Sequence, residues 1–212
     1  MSDFRVDPTS GRIALIAPRR QLRPRQHVHV ASAGLVEKEY DRDCPFCPGN
    51  ESSLPGILAE TSVGSSTSWT VRVVPNKFPA VAPSHDIGKS SADGRGVPGY
   101  GFHEVIVESR RHDAHFASMT DIEIEAVVEA YSRRSRTLLA RRMVEAVVVF
   151  RNHGEEGGAS IRHPHSQVVA LAFTPPLAAL IAERGRQYHE ANRRCPVCND
   201  IARELDGAGR GM

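Results

Sequence analysis

The chain has 212 residues, enough for one sizeable core or for one domain with a fragment of another. A hydrophobic fraction of 40% and a charged fraction of 25% are those of an ordinary globular protein. The formal charge of +2 is too small to argue for a nucleic-acid or anionic-membrane partner, and no run reaches the roughly 18 apolar residues of a membrane span.

The opening MSDFRVDP is charged and lacks the apolar stretch of a signal peptide, so a cytoplasmic location is expected. Residues 12–17 (RIALIA) read as a short strand. Arg19, Arg20, Arg23 and Arg25 follow as a basic cluster, which is usually a solvated face and alternatively a contact for phosphate. All four cysteines sit in two Cys-Pro-x-Cys pairs, Cys44/Cys47 and Cys195/Cys198, a pattern that suits metal binding in a reducing compartment better than disulfides. Residues 70–74 (TVRVV) form the next strand, and the Gly/Ser-rich run 84–101 reads as a mobile loop.

After the loop, FHEVIVES is β-branched and compact, and reads as a strand that ends at charged RRHD. Thr120 and Asp121 offer an N-cap, with Glu123 in reach for a capping box, before an amphipathic helix in which Ile124, Val127, Val128, Tyr131, Leu138 and Leu139 recur near helical spacing. EAVVVFRN and HSQVVALAF are further strands, and PPLAALIAERGRQYHEAN is a helix opening with proline. The pattern is α+β: a mostly antiparallel sheet with a long helix packed across one face. A domain over 1–192 is expected, with RRCPVCND beginning a truncated second half at 193–212. No internal repeat is evident.

Chemistry concentrates in FRNHGEEGGASIRHPHSQ. Side chains alternate along an extended segment, so His163, His165 and Gln167 share one face while Pro164, Ser166 and Val168 share the other. Pro164 biases His163 toward extended geometry. Upstream, Gly154, Gly157 and Gly158 allow backbone N–H groups to approach an anion, although most glycine-rich loops are only turns. Cys44 and Cys47 supply two thiolates, and zinc needs two further nitrogen or sulfur ligands. His112 and His163 could complete that set, but spacing does not select them over His103, His115 or His153. For His27, His29, His85 and His189 the ordinary reading is a satisfied core histidine or plain exposure.

CPFCPGNE, VVPNKFPAV, GFHEVIVESRRHD and FRNHGEEGGASIRHPHSQ stand in the order and approximate spacing of the galactose-1-phosphate uridylyltransferases. The chain resembles that nucleotidylyltransferase branch of the histidine-triad superfamily from about Arg12 to Phe173. The resemblance implies a histidine-triad-like sheet and a covalent reaction. His165 would attack the α-phosphorus of UDP-glucose, expel glucose-1-phosphate and hold a uridylyl-imidazole, from which galactose-1-phosphate takes the nucleotide. It also implies zinc on Cys44, Cys47, His112 and His163, with Gln167, Ser160 and the Gly157–Gly158 backbone at the phosphates. Arg20 and Arg23 would lie near the nucleotide, and Asn76 and Asn152 near ribose and phosphate. A nucleophilic imidazole must be neutral, so the other N–H of His165 should be held by an acceptor, such as a backbone carbonyl of the motif.

Ser166 stands where many family members carry proline or glycine, and serine there also occurs in related adenylyl-transferring enzymes such as ADP-glucose phosphorylases. Uridine and adenine therefore both stand as the base. Family members carry a second, related half, so a homodimer or a complex with a separate chain is expected, with no nucleic-acid or membrane partner. A phosphorylase or hydrolase of another nucleotide sugar is the alternative of similar chemistry. Of another class, zinc knuckles of a binding protein are opposed by the distance between the cysteine pairs and by the balanced charge. An inactive nucleotide-binding fragment is the remaining alternative.

Overall fold

In chain order the strands and α-helices are β1 (Asp3–Val6), β2 (Ile13–Ile16), β3 (Ala59–Thr61), β4 (Val71–Pro75), β5 (Val97–Pro98), β6 (Gly101–Val107), α1 (Asp121–Leu139), β7 (Ala146–Phe150), β8 (His165–Leu171), α2 (Pro176–Asn192) and α3 (Pro196–Leu205). The structure is a computed structural model and describes residues 2–23, 38–64, 67–83, 96–154 and 156–207. Arg25, His27, His29 and His85, and most of the expected loop over 84–101, lie outside the described residues. The chain forms two compact units, Met1–Phe173 and Thr174–Met212. Helix α2 thus groups with α3, whereas the sequence reading set its division at 192/193.

In the first unit, β3, β4, β6, β8 and β7 pair in that order, every pairing antiparallel. The long β6–β8 ladder runs from Gly101↔Leu171 to Val107↔His165. This register places Ile106, Ser166, Val168 and Ala170 on one face and His103, Val105, Val107, His165 and Gln167 on the other.

Helix α1 covers the first face. Thr120 accepts a hydrogen bond from the Glu123 N–H while the Glu123 carboxylate accepts from the Thr120 N–H at 2.8 Å, the reciprocal cap that the sequence predicts. One stripe of the helix then buries Ala126, Val127, Ala130 and Leu138 against Val71, Val73, Ile106, Val168 and Ala170. Each fully buried Val, Leu or Ile side chain contributes about 1.5–3 kcal/mol, so this apolar layer anchors the sheet. A buried ion pair crosses it: Arg134 on α1 donates to both carboxylate oxygens of Glu104 on β6, at 2.8 and 2.7 Å.

The opposite face carries two clusters. Cys44, Phe46, Cys47 and Trp69 pack on Val74, Val105 and Val107. Phe4 packs on Val81, Val169 and Leu171, and edge-on against Phe173. RIALIA forms strand β2 but joins β1 and β5 in a separate three-stranded sheet, with Ile13 and Ile16 exposed. Strands β1, β3 and β5, of two to four residues each, carry too few alternating positions to announce themselves in the sequence.

The second unit is a pair of helices. Tyr188 on α2 accepts a 3.1 Å hydrogen bond from Asn199 on α3. His189 is exposed on α2, as are Cys195 and Cys198 at the start of α3. Among the described residues no helix is long and apolar enough to cross a membrane.

Candidate functional site

Two side-chain clusters meet at the start of β8. The first joins residues distant in sequence: Cys44, Cys47, His112 and His163 are all buried, and their ligand-capable atoms lie within 4.8 Å of one another. Turn hydrogen bonds shape the cysteine loop, from Cys47 N–H to the Cys44 carbonyl at 3.2 Å and from Asn50 Nδ2 to the same carbonyl at 2.7 Å. The Asp41 N–H donates to Cys47 Sγ at 3.3 Å, the kind of support a thiolate receives from its backbone. His112 Nδ1 and His163 Nδ1 each lie 3.5 Å from Cys47 Sγ.

His163 Nε2 lies 2.7 Å from the Ser109 carbonyl, which can only accept. That contact puts the ring proton on Nε2 and leaves the Nδ1 lone pair facing the sulfurs, as a metal ligand requires. Burial pushes the Cys44 thiol up to about 12 and raises Cys47 as well. Two thiols and two imidazoles, all buried and with their ligand atoms within 4.8 Å of one another, suit a four-coordinate metal ion with soft ligands. Of the other candidates, His115 and His153 are exposed, and His103 faces Gln167 instead.

Two residues beyond His163, His165 opens β8. Its Nδ1 lies 2.8 Å from the His163 carbonyl oxygen, so Nδ1–H donates and Nε2 keeps its lone pair. Burial lowers its pKa, favouring the neutral ring. Phe46, from within the cysteine turn, packs against both rings, 6.0 Å from His163 and 5.3 Å from His165 between centroids. The Cys44, Cys47, His112 and His163 cluster and the His165 imidazole therefore share the Phe46 ring as a neighbour.

His165 lines a cavity of about 290 Å³ together with Arg23, Asn76, Ser160 and Gln167, and with apolar Phe46, Leu54, Pro55, Val74 and Phe78. Arg20, Asn152, Gly157 and Gly158 lie outside that wall. Arg20 donates to the Phe78 carbonyl at 3.0 Å and so supports the loop after Asn76. Gly158 adopts φ +75°, and a Cβ on Gly157 would sit 2.3 Å from the His153 carbonyl oxygen, so the turn accepts only glycine there.

Ser166 points the other way, as alternation requires. Its hydroxyl donates to the Glu108 carboxylate and lies 2.6 Å from the Tyr131 hydroxyl. Glu108 also accepts from Tyr131 at 2.7 Å and from Arg151 Nε at 2.9 Å. Ser166 is thus bound into a polar cluster beneath the strand and does not line the cavity, so a base bound there is not read through Ser166 directly. Sequence reasoning passed over Glu108 and over the role of His103. Their signal was the strand FHEVIVES itself: alternation aligns His103 with Val105 and Val107, and Glu108 stands where the strand ends.

Residues 1–175 match the family described as galactose-1-phosphate uridyl transferase, N-terminal domain. An ADP-glucose phosphorylase of Arabidopsis thaliana is 27% identical over 199 residues, covering 92% of this chain and 56% of its own. A galactose-1-phosphate uridylyltransferase of Thermotoga maritima is 26% identical over 206 residues, covering 96% and 57%. The crystal structure of an ADP-glucose phosphorylase from Arabidopsis thaliana with bound ADP-glucose superposes with a TM-score of 0.63 at 26% identity, covering 96% of this chain and 59% of that one. The chain spans a little over half the length of these relatives.

Proposed function

Because the chain belongs to the galactose-1-phosphate uridyl transferase family, whose N-terminal domain matches residues 1–175, we propose that it is a nucleotidylyltransferase passing a nucleotide from a nucleotide sugar to a hexose-1-phosphate through His165. UDP-glucose and galactose-1-phosphate are the substrates this reading favours. The observation that carries it is the 2.8 Å contact between His165 Nδ1 and the His163 carbonyl, because it leaves Nε2 as the free nitrogen of a ring lining the cavity.

The His165 Nε2 lone pair forms a bond to the α-phosphorus. The bond from that phosphorus to the bridging oxygen breaks, and glucose-1-phosphate leaves with the electron pair. A phosphate oxygen of galactose-1-phosphate then attacks the same phosphorus, and the N–P bond breaks back to Nε2. Throughout, Nδ1–H stays on the His163 carbonyl, which stabilises the positive ring of the intermediate. Gln167 donates from its carboxamide to the phosphoryl oxygens without adding a titrating charge, and Ser160 and Arg23 bind the phosphates from the same wall.

Zinc, held by Cys44, Cys47, His112 and His163, would supply a structural cross-link that fixes the cysteine turn. His163 donates from Nε2 to Ser109, and its own carbonyl orients His165. Cysteines placed in Cys-Pro-x-Cys pairs and outside disulfides support a cytoplasmic location, and a homodimer, or a complex with a chain carrying a second half, is part of the same reading.

Adenine is the second reading of the base. It is supported by the similarity to an ADP-glucose phosphorylase whose structure holds ADP-glucose. Incubation with UDP-glucose and ADP-glucose in parallel, each radiolabelled at the α-phosphorus, tests both. An acid-labile, base-stable label on the protein is expected, and the preferred sugar nucleotide identifies the base. A protein that binds metal yet takes label from neither would refute the transfer function.

A further inference from the structure

The mechanism uses the NH₂ of Gln167, and a carboxamide can turn either end to the cavity. The structure contains a device that chooses. His103 lies on β6, on the same face as Gln167, and is 6% exposed. The Ala80 N–H donates to His103 Nδ1 at 2.9 Å, so Nδ1 carries the lone pair and the ring proton sits on Nε2. Nε2 faces Gln167 Oε1 at 2.9 Å.

Asn76 strengthens the choice. Its Oδ1 accepts from the Phe78 N–H at 2.9 Å, which fixes its NH₂ toward Gln167 Oε1 at 3.5 Å; the same NH₂ lies 3.0 Å from His103 Nε2, a donor beside a donor that forms no hydrogen bond, so both groups direct their protons to the shared oxygen. Two donors converge on one end of the Gln167 carboxamide, and that end must be the oxygen. The NH₂ is left for the cavity that Gln167 lines. Burial, with Arg20 and Arg23 nearby, lowers the His103 pKa to about 4, so the ring stays neutral and keeps this tautomer.

We propose that His103 is a positioning residue that locks the Gln167 carboxamide with its NH₂ toward the phosphoryl group, through the chain Ala80 N–H to His103 to Gln167 Oε1. The inference rests on the nucleotidyl-transfer reading. It also predicts that a rotated Gln167, presenting oxygen to an anionic phosphate, is worse than no carboxamide contact.

The test pairs a structural readout with a kinetic one on the full chain. In ¹⁵N side-chain NMR the wild type should show His103 protonated on Nε2 and one ordered Gln167 NH₂ pair. His103→Ala should broaden or average that pair, and His103→Gln, whose amide NH₂ can replace Nε2–H, should restore it. In single-turnover labelling, His103→Ala should lower the rate roughly 10- to 100-fold, a share of what removing a transition-state donor costs, with nucleotide-sugar affinity changed less than about threefold. Added to His103→Ala, Gln167→Ala should cause no further loss and should recover part of the rate, and His103→Gln should recover most of it.

Unchanged Gln167 resonances in His103→Ala overturn the proposal, as does a loss confined to affinity. A wild type that takes no label refutes the transfer reading instead, and the NMR comparison still decides whether His103 orders Gln167.

Discussion

Replacing Glu108 with alanine tests whether the polar cluster under β8 holds the histidine motif in place. Glu108 is 1% exposed and accepts from Arg151, Tyr131 and Ser166. Its backbone N–H donates to the Pro164 carbonyl at 3.0 Å, and its neighbour Ser109 accepts from His163. Residues 108 and 109 therefore grip positions 163, 164 and 166, on both sides of His165.

Glu108→Ala leaves Arg151, a fifth exposed, without its carboxylate. Tyr131 and Ser166 lie 2.6 Å apart, so one hydroxyl released from Glu108 can turn its proton to the other and their loss is partial. Breaking a buried pair costs about 3–5 kcal/mol, and the partial exposure of Arg151 argues for the lower half, about 3–4 kcal/mol. Glu108→Gln keeps an acceptor and the shape, and should cost only about 1–2 kcal/mol. For a unit of 173 residues, about 3–4 kcal/mol lowers Tm by roughly 6–16 °C. Equilibrium urea unfolding and calorimetry measure both variants. An alanine variant within about 1 kcal/mol of wild type, or a glutamine variant as damaging as alanine, would refute the view that this carboxylate organises the motif.

Three further outcomes follow from the geometry. The chain should bind one zinc ion at Cys44, Cys47, His112 and His163, measured by elemental analysis. Cys47→Ser should abolish that binding, and at a hundredfold excess over Kd the metal should add about 2.7 kcal/mol to stability. Gly101→Ala would set a Cβ 2.1 Å from the Ala170 carbonyl oxygen and 2.9 Å from Val81 Cγ2. Forcing the β6–β8 ladder apart there should cost roughly 2–3 kcal/mol by denaturant titration.

The third concerns acid. His103 has its pKa depressed to about 4 in the fold, from 6.5. Above pH 6.5 both folded and unfolded forms are neutral and nothing is lost. As pH falls from 6.5 to 4 the unfolded chain takes up the proton first, so wild type should lose about 3 kcal/mol more than His103→Gln over that window. Parallel denaturation curves for the two proteins across it would contradict the burial of this imidazole.

Much of this architecture was legible in the sequence, and the reasons differ by element. Helix α1 announces itself by the Thr120–Glu123 cap and its apolar stripe, and β8 by a β-branched run buried on both faces. Alternation alone separated His165 and Gln167 from Ser166. The cluster of Cys44, Cys47, His112 and His163 was not legible from spacing, because His112 and His163 reach Cys44 and Cys47 only through the β6–β8 pairing. The resemblance to the family selected them, and the fold brings them together. His103 and Glu108 were missed for the same reason: each acts through a partner about sixty residues away, and only strand register joins them.

The most direct measurement is where the nucleotide attaches. Protein treated with the preferred nucleotide sugar, digested under alkaline conditions and mapped by mass spectrometry should carry one nucleotidyl group, on His165. His165→Ala should carry none while keeping its metal and its fold. A nucleotide found on another residue, or equal labelling of His165→Ala, would contradict the assignment of the free Nε2 as the attacking atom.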